Sequence, residues 1–560
     1  RGFFFLEMAD RDLRDIWKKM PRAEYSWCGL AGFYFLTRAI AASYPQGHGD
    51  PLLYHLLAPR LWVEQCRIGL TENLPTAMLA NYWEYLYVWP QEIFFRGGRN
   101  EGLIAAQVFS QWTHLFIAQV GSLALVHSYL RYFFAPSRWV FPIALGSIMA
   151  AELAWTAGIA KNDWGVIFWT LAGLVAIEGA KKSGAKKAAV LALLFWAMAL
   201  VAKFNGVLVV LPAFLFYGIS FLRAPVTRRL GFLVLGLGPF ILVAGAFPLV
   251  ARNYFETGNP FYPMLNRIFA SPWVSASFAV LIENVEPVRS PFWETLLRRT
   301  SEFLRQGAVF LIGLPGAVVA VAYLLRGRKV AGGPALFLGF FAFFAYVIAG
   351  NITQDIRYLG VGLLLLGGAG ALFLLEEISR VASARVNSYI VWILFIAIAA
   401  TSKLPLHLYR KLPLQPWGPE ALLSHTAGQA KDWVRRNAKE GELTIMVADN
   451  EAYYLSGMSV TILTERPDID AATRKAATLD EFLRGICWNA PDARYLLDSR
   501  PGMGLAHLFP NGSQRLANAT VFSGDSGRVV SIQALISTSR EKETLQACEK
   551  LKTGFNRDES

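Results

Sequence analysis

Charge is scarce in this chain. Of its 560 residues only 17% are Asp, Glu, Lys or Arg, against about a quarter in soluble domains, while 54% are hydrophobic. That balance excludes a string of soluble domains, although length alone would suggest several. Cysteine is scarcer still: Cys28, Cys66, Cys487 and Cys548 are the four present. Their spacing excludes a CxxC redox motif and a zinc knuckle. Cys487 and Cys548 would pair only in an oxidising compartment, and the expectation is two unrelated thiols. Neither the internal repeat of inverted-repeat transporters nor a cleavable leader is evident. The opening RGFFFLE is short and runs into the polar, basic MADRDLRDIWKKMPR. The net charge of +13 does not mark a nucleic-acid binder, because the basic residues fall in short blocks between apolar runs, as topology signals do.

What is present is a series of apolar runs. A membrane span needs roughly 17–25 mostly apolar residues. Such runs lie near 27–44, 103–127, 139–157, 164–180, 188–204, 206–222, 230–250, 307–325, 331–350, 359–375 and 387–402. The expectation is therefore a polytopic α-helical membrane protein with about 11 transmembrane helices. The blocks RDLRDIWKKMPR, KKSGAKK, RAPVTRR, RGRK and SRVASAR all fall on one side of these spans. The positive-inside rule makes that side cytoplasmic. Residues 1–26 are then a cytoplasmic tail of an inner-membrane protein. The loops 45–100 and 251–306 and the tail 403–560 face outward, beyond the transmembrane region 27–402.

The outer segments carry their own patterns. Residues 52–63 space Leu53, Leu56, Leu57 and Leu61 helically, which predicts a helix lying in the membrane interface. Residues 71–95 are crowded with Tyr and Trp, which favour the headgroup level. In the tail, LTIMVAD, VTILT, ARYLLD and RVVSIQAL read as strands between helical patterns at 419–438, 478–488 and 540–552. That predicts a small extracytoplasmic α/β domain, in which VADNEAYYLSG lacks a glycine-rich phosphate loop. The sequons at Asn351, Asn511 and Asn518 are taken as chance matches.

Six charged positions collect at the predicted outer face. Asp50 precedes Pro51, which by itself makes a good helix N-cap. Asp163 lies in the short KNDW loop, with Glu152 about three turns earlier. Lys203 ends the fifth span, Arg252 follows the seventh, and Arg357 precedes the tenth. Each cation alone reads as a snorkelling interface residue. Together they suit group transfer from a lipid-linked phosphate. Cations, Arg above all, neutralise the departing phosphate, and one carboxylate suffices as base toward an acceptor hydroxyl.

Several stretches, in order, resemble the C superfamily of membrane glycosyltransferases (GT-C), which includes protein O-mannosyltransferases and aminoarabinose transferases. They are GDPLLYHLLAPRLWVEQCRI, KNDWGVIFWTLAG, MALVAKFNGVLVVLPAFLFY, RNYFETGNPFYPMLNRIF and IRYLGVGLLLL, covering most of 27–402. The resemblance implies inverting transfer from a polyprenyl-phosphate sugar to a lipid, glycan or protein acceptor. Asp50 would be the base and Asp163 the second carboxylate. Arg357 and Tyr358 would meet the carrier phosphate, with Lys203 a further candidate, and Arg252, His55 and Glu152 line the same face as candidate substrate-binding residues. Members often pair two acids where this chain has Asp50 and Pro51, so metal use stays open. Asp50, Asp163 and His48 are the candidate ligands if a divalent metal ion takes part, although interface roles are the simpler reading for His48 and His55. The rival readings are a transporter or flippase of a lipid-linked solute, for which Arg38 within a span is thin support, and a non-catalytic subunit of a membrane assembly.

Overall fold

The structure, a computed structural model, describes residues 22–45, 51–71, 73–79, 82–94, 100–156, 159–283, 291–348, 360–401, 428–439, 442–447, 455, 460–464, 466–498, 505–523, 527–539 and 542–548. Apolar sequence becomes helix throughout its first part. In chain order, α1 is Arg22–Ala42 and α2 is Leu57–Gln65. Helix α3, Asn100–His114, runs through a π-turn at Leu115–Val120 into α4, Gly121–Phe134. Next come α5 (Val140–Ile148), α6 (Asp163–Ser183), α7 (Lys186–Ala202), α8 (Val207–Arg223) and α9 (Arg228–Thr257). Helix α10 (Phe292–Leu304) lies within the second long loop, and after it stand α11 (Ala308–Leu325), α12 (Gly333–Ile348), α13 (Gly360–Val381) and α14 (Ala384–Thr401).

Among the described residues four stretches are long and apolar enough to cross a membrane: Asp163–Ser183, Pro225–Thr257, Ala308–Leu325 and Gly360–Val381. Val207–Arg223, Gly333–Ile348 and Arg385–Thr401 are shorter apolar helices. The run read as a span at 139–157 is not one rod, because α5 stops at Ile148 and a separate turn of helix covers Ala151–Thr156. The close pair at 188–222 resolves into two helices, α7 and α8, with a 3-10 turn at Phe204–Gly206 between them.

Small residues let these helices approach, as they do where lipid supplies no hydrophobic drive for association. A Cβ at Gly313 would lie 2.3 Å from the Gly367 carbonyl oxygen, and one at Gly316 only 2.0 Å from that of Gly370. Helices α11 and α13 therefore meet backbone to backbone. Gly173 of α6 likewise makes room for the Trp196 indole of α7.

The tail adds α15 (Gly428–Asn437), β1 (Leu443–Val447), β2 (Val460–Ile462), α16 (Leu479–Asn489), β3 (Ala493–Asp498), β4 (Thr520–Ser523) and β5 (Arg528–Ser531). The strand order is β2-β1-β3-β5-β4. β1 pairs in parallel with β2 and β3, whereas β5 is antiparallel to β3 and β4. A capping box between Thr478 and Glu481 starts α16. RVVSIQAL is strand only to Ser531, whose hydroxyl accepts the Ala534 N–H and opens a short helix instead.

Two expectations are corrected here. Cys487 and Cys548 are joined in a disulfide, their Cα atoms 5.0 Å apart. Helix α16 and the last short helix pack together, which the separation of 61 residues in sequence concealed. The amphipathic segment after Pro51 is also not spread on a lipid surface. Leu57, Leu61 and Trp62 of α2 share a buried cluster with Val434, Met446, Val460, Leu497 and Val529, so its apolar face is covered by the tail's sheet.

Polar contacts reinforce that docking. The Thr461 hydroxyl donates to the Asn73 carbonyl at 2.7 Å, and Arg466 donates to the Asn73 side chain at 2.9 Å. The Ser277 hydroxyl donates to Asp470 at 2.6 Å, and Ser275 donates to the Thr464 carbonyl. The tail thus sits on both long loops at one end of the helix bundle.

Candidate functional site

Under that roof the bundle end is polar, and local breaks in the helices make it so. Helix α7 ends at Ala202, and Lys203 takes an extended backbone (φ −166°, ψ 135°) before the 3-10 turn. Gly206 holds this break tight, since a Cβ there would lie 2.8 Å from the Ala199 carbonyl oxygen. The turned-out Lys203 ammonium donates to the Asp163 carboxylate at 2.6 Å. Asp163 stands in the first turn of α6, where a negative charge is favoured by the helix dipole. Its side chain is 4% exposed and that of Lys203 is 21% exposed.

A second buried pair lies beside the first. His55 Nδ1 and Glu84 Oε1 are 2.5 Å apart, with both side chains buried. Glu84 comes from the 3-10 turn Tyr82–Tyr87, which two contacts fix in place. The Trp83 ring covers Gly165, where a Cβ would meet it at 2.5 Å. The Tyr87 hydroxyl reaches His114 Nδ1 at 2.8 Å at the end of α3. Burial, together with the Lys161 and Lys203 ammonium groups, holds the His55 imidazole well below its ordinary value near 6.5. A neutral ring that donates from Nδ1 to Glu84 keeps Nε2 as an acceptor.

Arg252 completes the group from α9. It reaches the Met78 carbonyl at 3.5 Å and the Asn253 side chain at 3.0 Å, and it lies within electrostatic reach of Tyr85, Tyr82 and Glu84. At the C-terminal end of the same helix Glu256 takes the Arg67 guanidinium at 2.6 and 2.8 Å and the Leu70 N–H at 3.2 Å. The first long loop is thereby tied to α9.

Asp163, Lys203, His55 and Arg252 therefore come to one end of the bundle from four separate segments. The Ala151–Thr156 turn that carries Glu152 precedes Asp163 closely in the chain. Asp50, His48, Arg357 and Tyr358 lie outside the described residues. Among the described residues no three His, Cys, Asp or Glu side chains converge as metal ligands. Glu84 and Lys161 escaped sequence reasoning. Glu84 is the one acid in the aromatic stretch YWEYLY, and a carboxylate in so apolar a run is costly unless paired, which was the available signal.

Three cations (Lys161, Lys203, Arg252) face two carboxylates (Glu84, Asp163) around a neutral imidazole. The surplus is positive. Such an arrangement can bind an anion and can orient a neutral acceptor group at His55 Nε2.

No protein-family profile and no curated protein sequence matches this chain. Among solved structures it is similar to ArnT from Cupriavidus metallidurans bound to undecaprenyl phosphate. The identity is 12%, over 91% of this chain and 97% of that one, with a TM-score of 0.56. It is also similar to the Archaeoglobus fulgidus oligosaccharyltransferase in complex with zinc and sulfate. There the identity is 12%, over 83% of this chain and 68% of that one, with a TM-score of 0.51. At such identities the likeness is one of fold alone, shared with ArnT and with the archaeal oligosaccharyltransferase.

Proposed function

We propose that this protein is a membrane glycosyltransferase that moves a sugar from a polyprenyl-phosphate carrier to an acceptor hydroxyl on the extracytoplasmic face. The observation that carries the reading is the buried, cation-rich cluster around Lys203–Asp163 and His55–Glu84, walled by both long loops and roofed by the tail. Burying several charges at the mouth of an apolar bundle costs several kcal/mol per ion before pairing offsets it. A ligand phosphate accounts for the positive surplus. Support for the donor class comes from the fold shared with ArnT, which binds undecaprenyl phosphate.

In this reading the acceptor oxygen forms a bond to the anomeric carbon as the bond from that carbon to the phosphate oxygen breaks. The electron pair leaves on the phosphate, which is stable as an anion and requires no general acid. The acceptor proton passes to Asp50, the base that the family resemblance assigns. One displacement inverts the anomeric centre. Lys203, Arg252 and Arg357 offset the charge that develops on the phosphate, and Asp163 keeps the Lys203 ammonium aimed. The disulfide supports an oxidising compartment for the tail, which agrees with the cytoplasmic placement of the basic blocks.

The test is turnover. Purified protein incubated with a panel of polyprenyl-phosphate sugars should release the free carrier with at least one of them. Asp50→Asn should lower that rate roughly 10²–10⁴-fold if proton transfer is its contribution. A folded protein that releases carrier from none of them, across lipid, glycan and peptide acceptors, would end the reading.

A further inference from the structure

A cavity lies at the end of the bundle opposite the roofed cluster. Helices α11 and α13 run 18 and 22 residues from the roofed end, which is roughly 27–33 Å at 1.5 Å per residue, the thickness of a bilayer core. Where they end, with the end of α4 beside them, they enclose a cavity of about 410 Å³. It stands apart from the transferase reading and shares no residue with that site.

The loop after α11 builds its basic wall. Gly327 takes a left-handed backbone (φ 71°), which lets the Arg328 N–H return to the Tyr323 carbonyl at 2.9 Å. The Arg328 guanidinium then lies over the Tyr323 ring, 5.2 Å from its centroid. Gly332 presses against the Phe134 ring, where a Cβ would meet it at 2.7 Å, so the loop is seated on α4. The adjacent Lys329 also lines the cavity, and the facing wall is the last turn of α13, with Glu376, Glu377 and Arg380. Arg380 is already paired with Glu377. That leaves two cations, Arg328 and Lys329, facing one carboxylate, Glu376. Among the described residues no ion pair joins Lys329 or Glu376 to a neighbour. The net single positive charge matches a monoanion. Phe133, Phe134 and Phe373 supply apolar surface beside it.

We propose that this cavity is a phospholipid site, in which Arg328 and Lys329 hold the phosphodiester of the headgroup while the Phe133, Phe134 and Phe373 rings flank its glycerol and acyl carbons. The chemistry is a phosphodiester monoanion. A soluble glycerophosphodiester would offer the same group, but the Phe133, Phe134 and Phe373 rings that line the cavity favour the membrane lipid.

The full chain in detergent, titrated with dioleoyl phosphatidylglycerol and read by native mass spectrometry, tests this. The Arg328→Gln/Lys329→Gln double variant, at exposed positions, should bind the lipid about tenfold or more weakly. Lys181→Gln/Lys182→Gln, basic residues at the same membrane side but outside the cavity, should bind as wild type. The deacylated headgroup, glycerophosphoglycerol, should fail to displace the lipid at equal concentration. Unchanged lipid binding in a double variant with wild-type melting would overturn the proposal, and so would an equal loss in the Lys181/Lys182 variant. Displacement by the deacylated headgroup would overturn the lipid source.

Discussion

Removing Lys203 alone should cost more than removing both members of the Lys203–Asp163 pair, and the two single losses should not add. The atoms are 2.6 Å apart, so the gross attraction at an effective dielectric of 20 is about 6 kcal/mol. Desolvation of both groups takes back most of it. What persists in a variant is a partner that has lost its 2.6 Å contact. Lys203→Met takes that contact from a carboxylate with 4% exposure, and the expected loss is about 3 kcal/mol, the low end for a broken buried pair. Asp163→Asn leaves the Lys203 ammonium, which is partly in water, so its cost should be smaller, about 2 kcal/mol. The double variant replaces two charges by neutral groups of similar size and should lose only about 1–2 kcal/mol, giving a coupling of roughly 3 kcal/mol. Denaturant unfolding in mild detergent, followed by tryptophan fluorescence, measures all four corners of the cycle. Losses that add to within about 0.5 kcal/mol would refute the claim that the two groups depend on each other.

Three further outcomes are expected. His55 is held neutral in the fold, whereas the unfolded chain takes a proton near pH 6.5; its contribution is therefore whole above that pH and shrinks as pH falls below it. His55→Gln should flatten the loss of melting temperature between about pH 6.5 and 5, and an unchanged acid slope would argue against a neutral buried ring. Gly316→Val forces a side chain toward a backbone oxygen 2.0 Å from its Cβ and should destabilise the α11–α13 contact by about 1–3 kcal/mol, while Gly236→Val, in open space on α9, should melt as wild type. Reducing the Cys487–Cys548 disulfide frees a loop with a sequence separation of 61 residues, which the chain-entropy relation puts at up to about 4 kcal/mol; protease resistance of the tail that is unchanged by reductant would contradict it.

Much of the fold was legible because hydrophobic length is a direct physical requirement of the bilayer. The runs at 164–180, 307–325 and 359–375 became α6, α11 and α13, which start within a residue of the expected positions, although α13 continues past 375 to Val381. Strands β1 and β3 were legible for a related reason, since LTIMV and ARYLLD are short and apolar between turn-forming residues. Periodicity in 52–63 revealed an apolar face but carried no information on what covers it. Its cover is a sheet almost 400 residues further along the chain. Strand β4 was missed because it is a partly exposed edge with no apolar run. At the site, Asp163 and Lys203 stood out as charges at the ends of apolar runs, and the structure pairs them. Glu84 did not stand out, because its aromatic neighbours suggested a headgroup belt. Lys161 did not either, because a single lysine in a four-residue loop looks like solvent-facing charge until the loop is found buried.

The central claim is that the roofed cluster holds the phosphate of a polyprenyl carrier. The direct measurement is the affinity of this chain for polyprenyl phosphate, titrated in detergent and read by tryptophan quenching, for wild type, Lys203→Met and Arg328→Gln. The account predicts binding that weakens about 10–100-fold in Lys203→Met, as loss of one charge-assisted hydrogen bond requires, and is unchanged in Arg328→Gln at the opposite end of the bundle. Equal affinity in wild type and a folded Lys203→Met protein would contradict it.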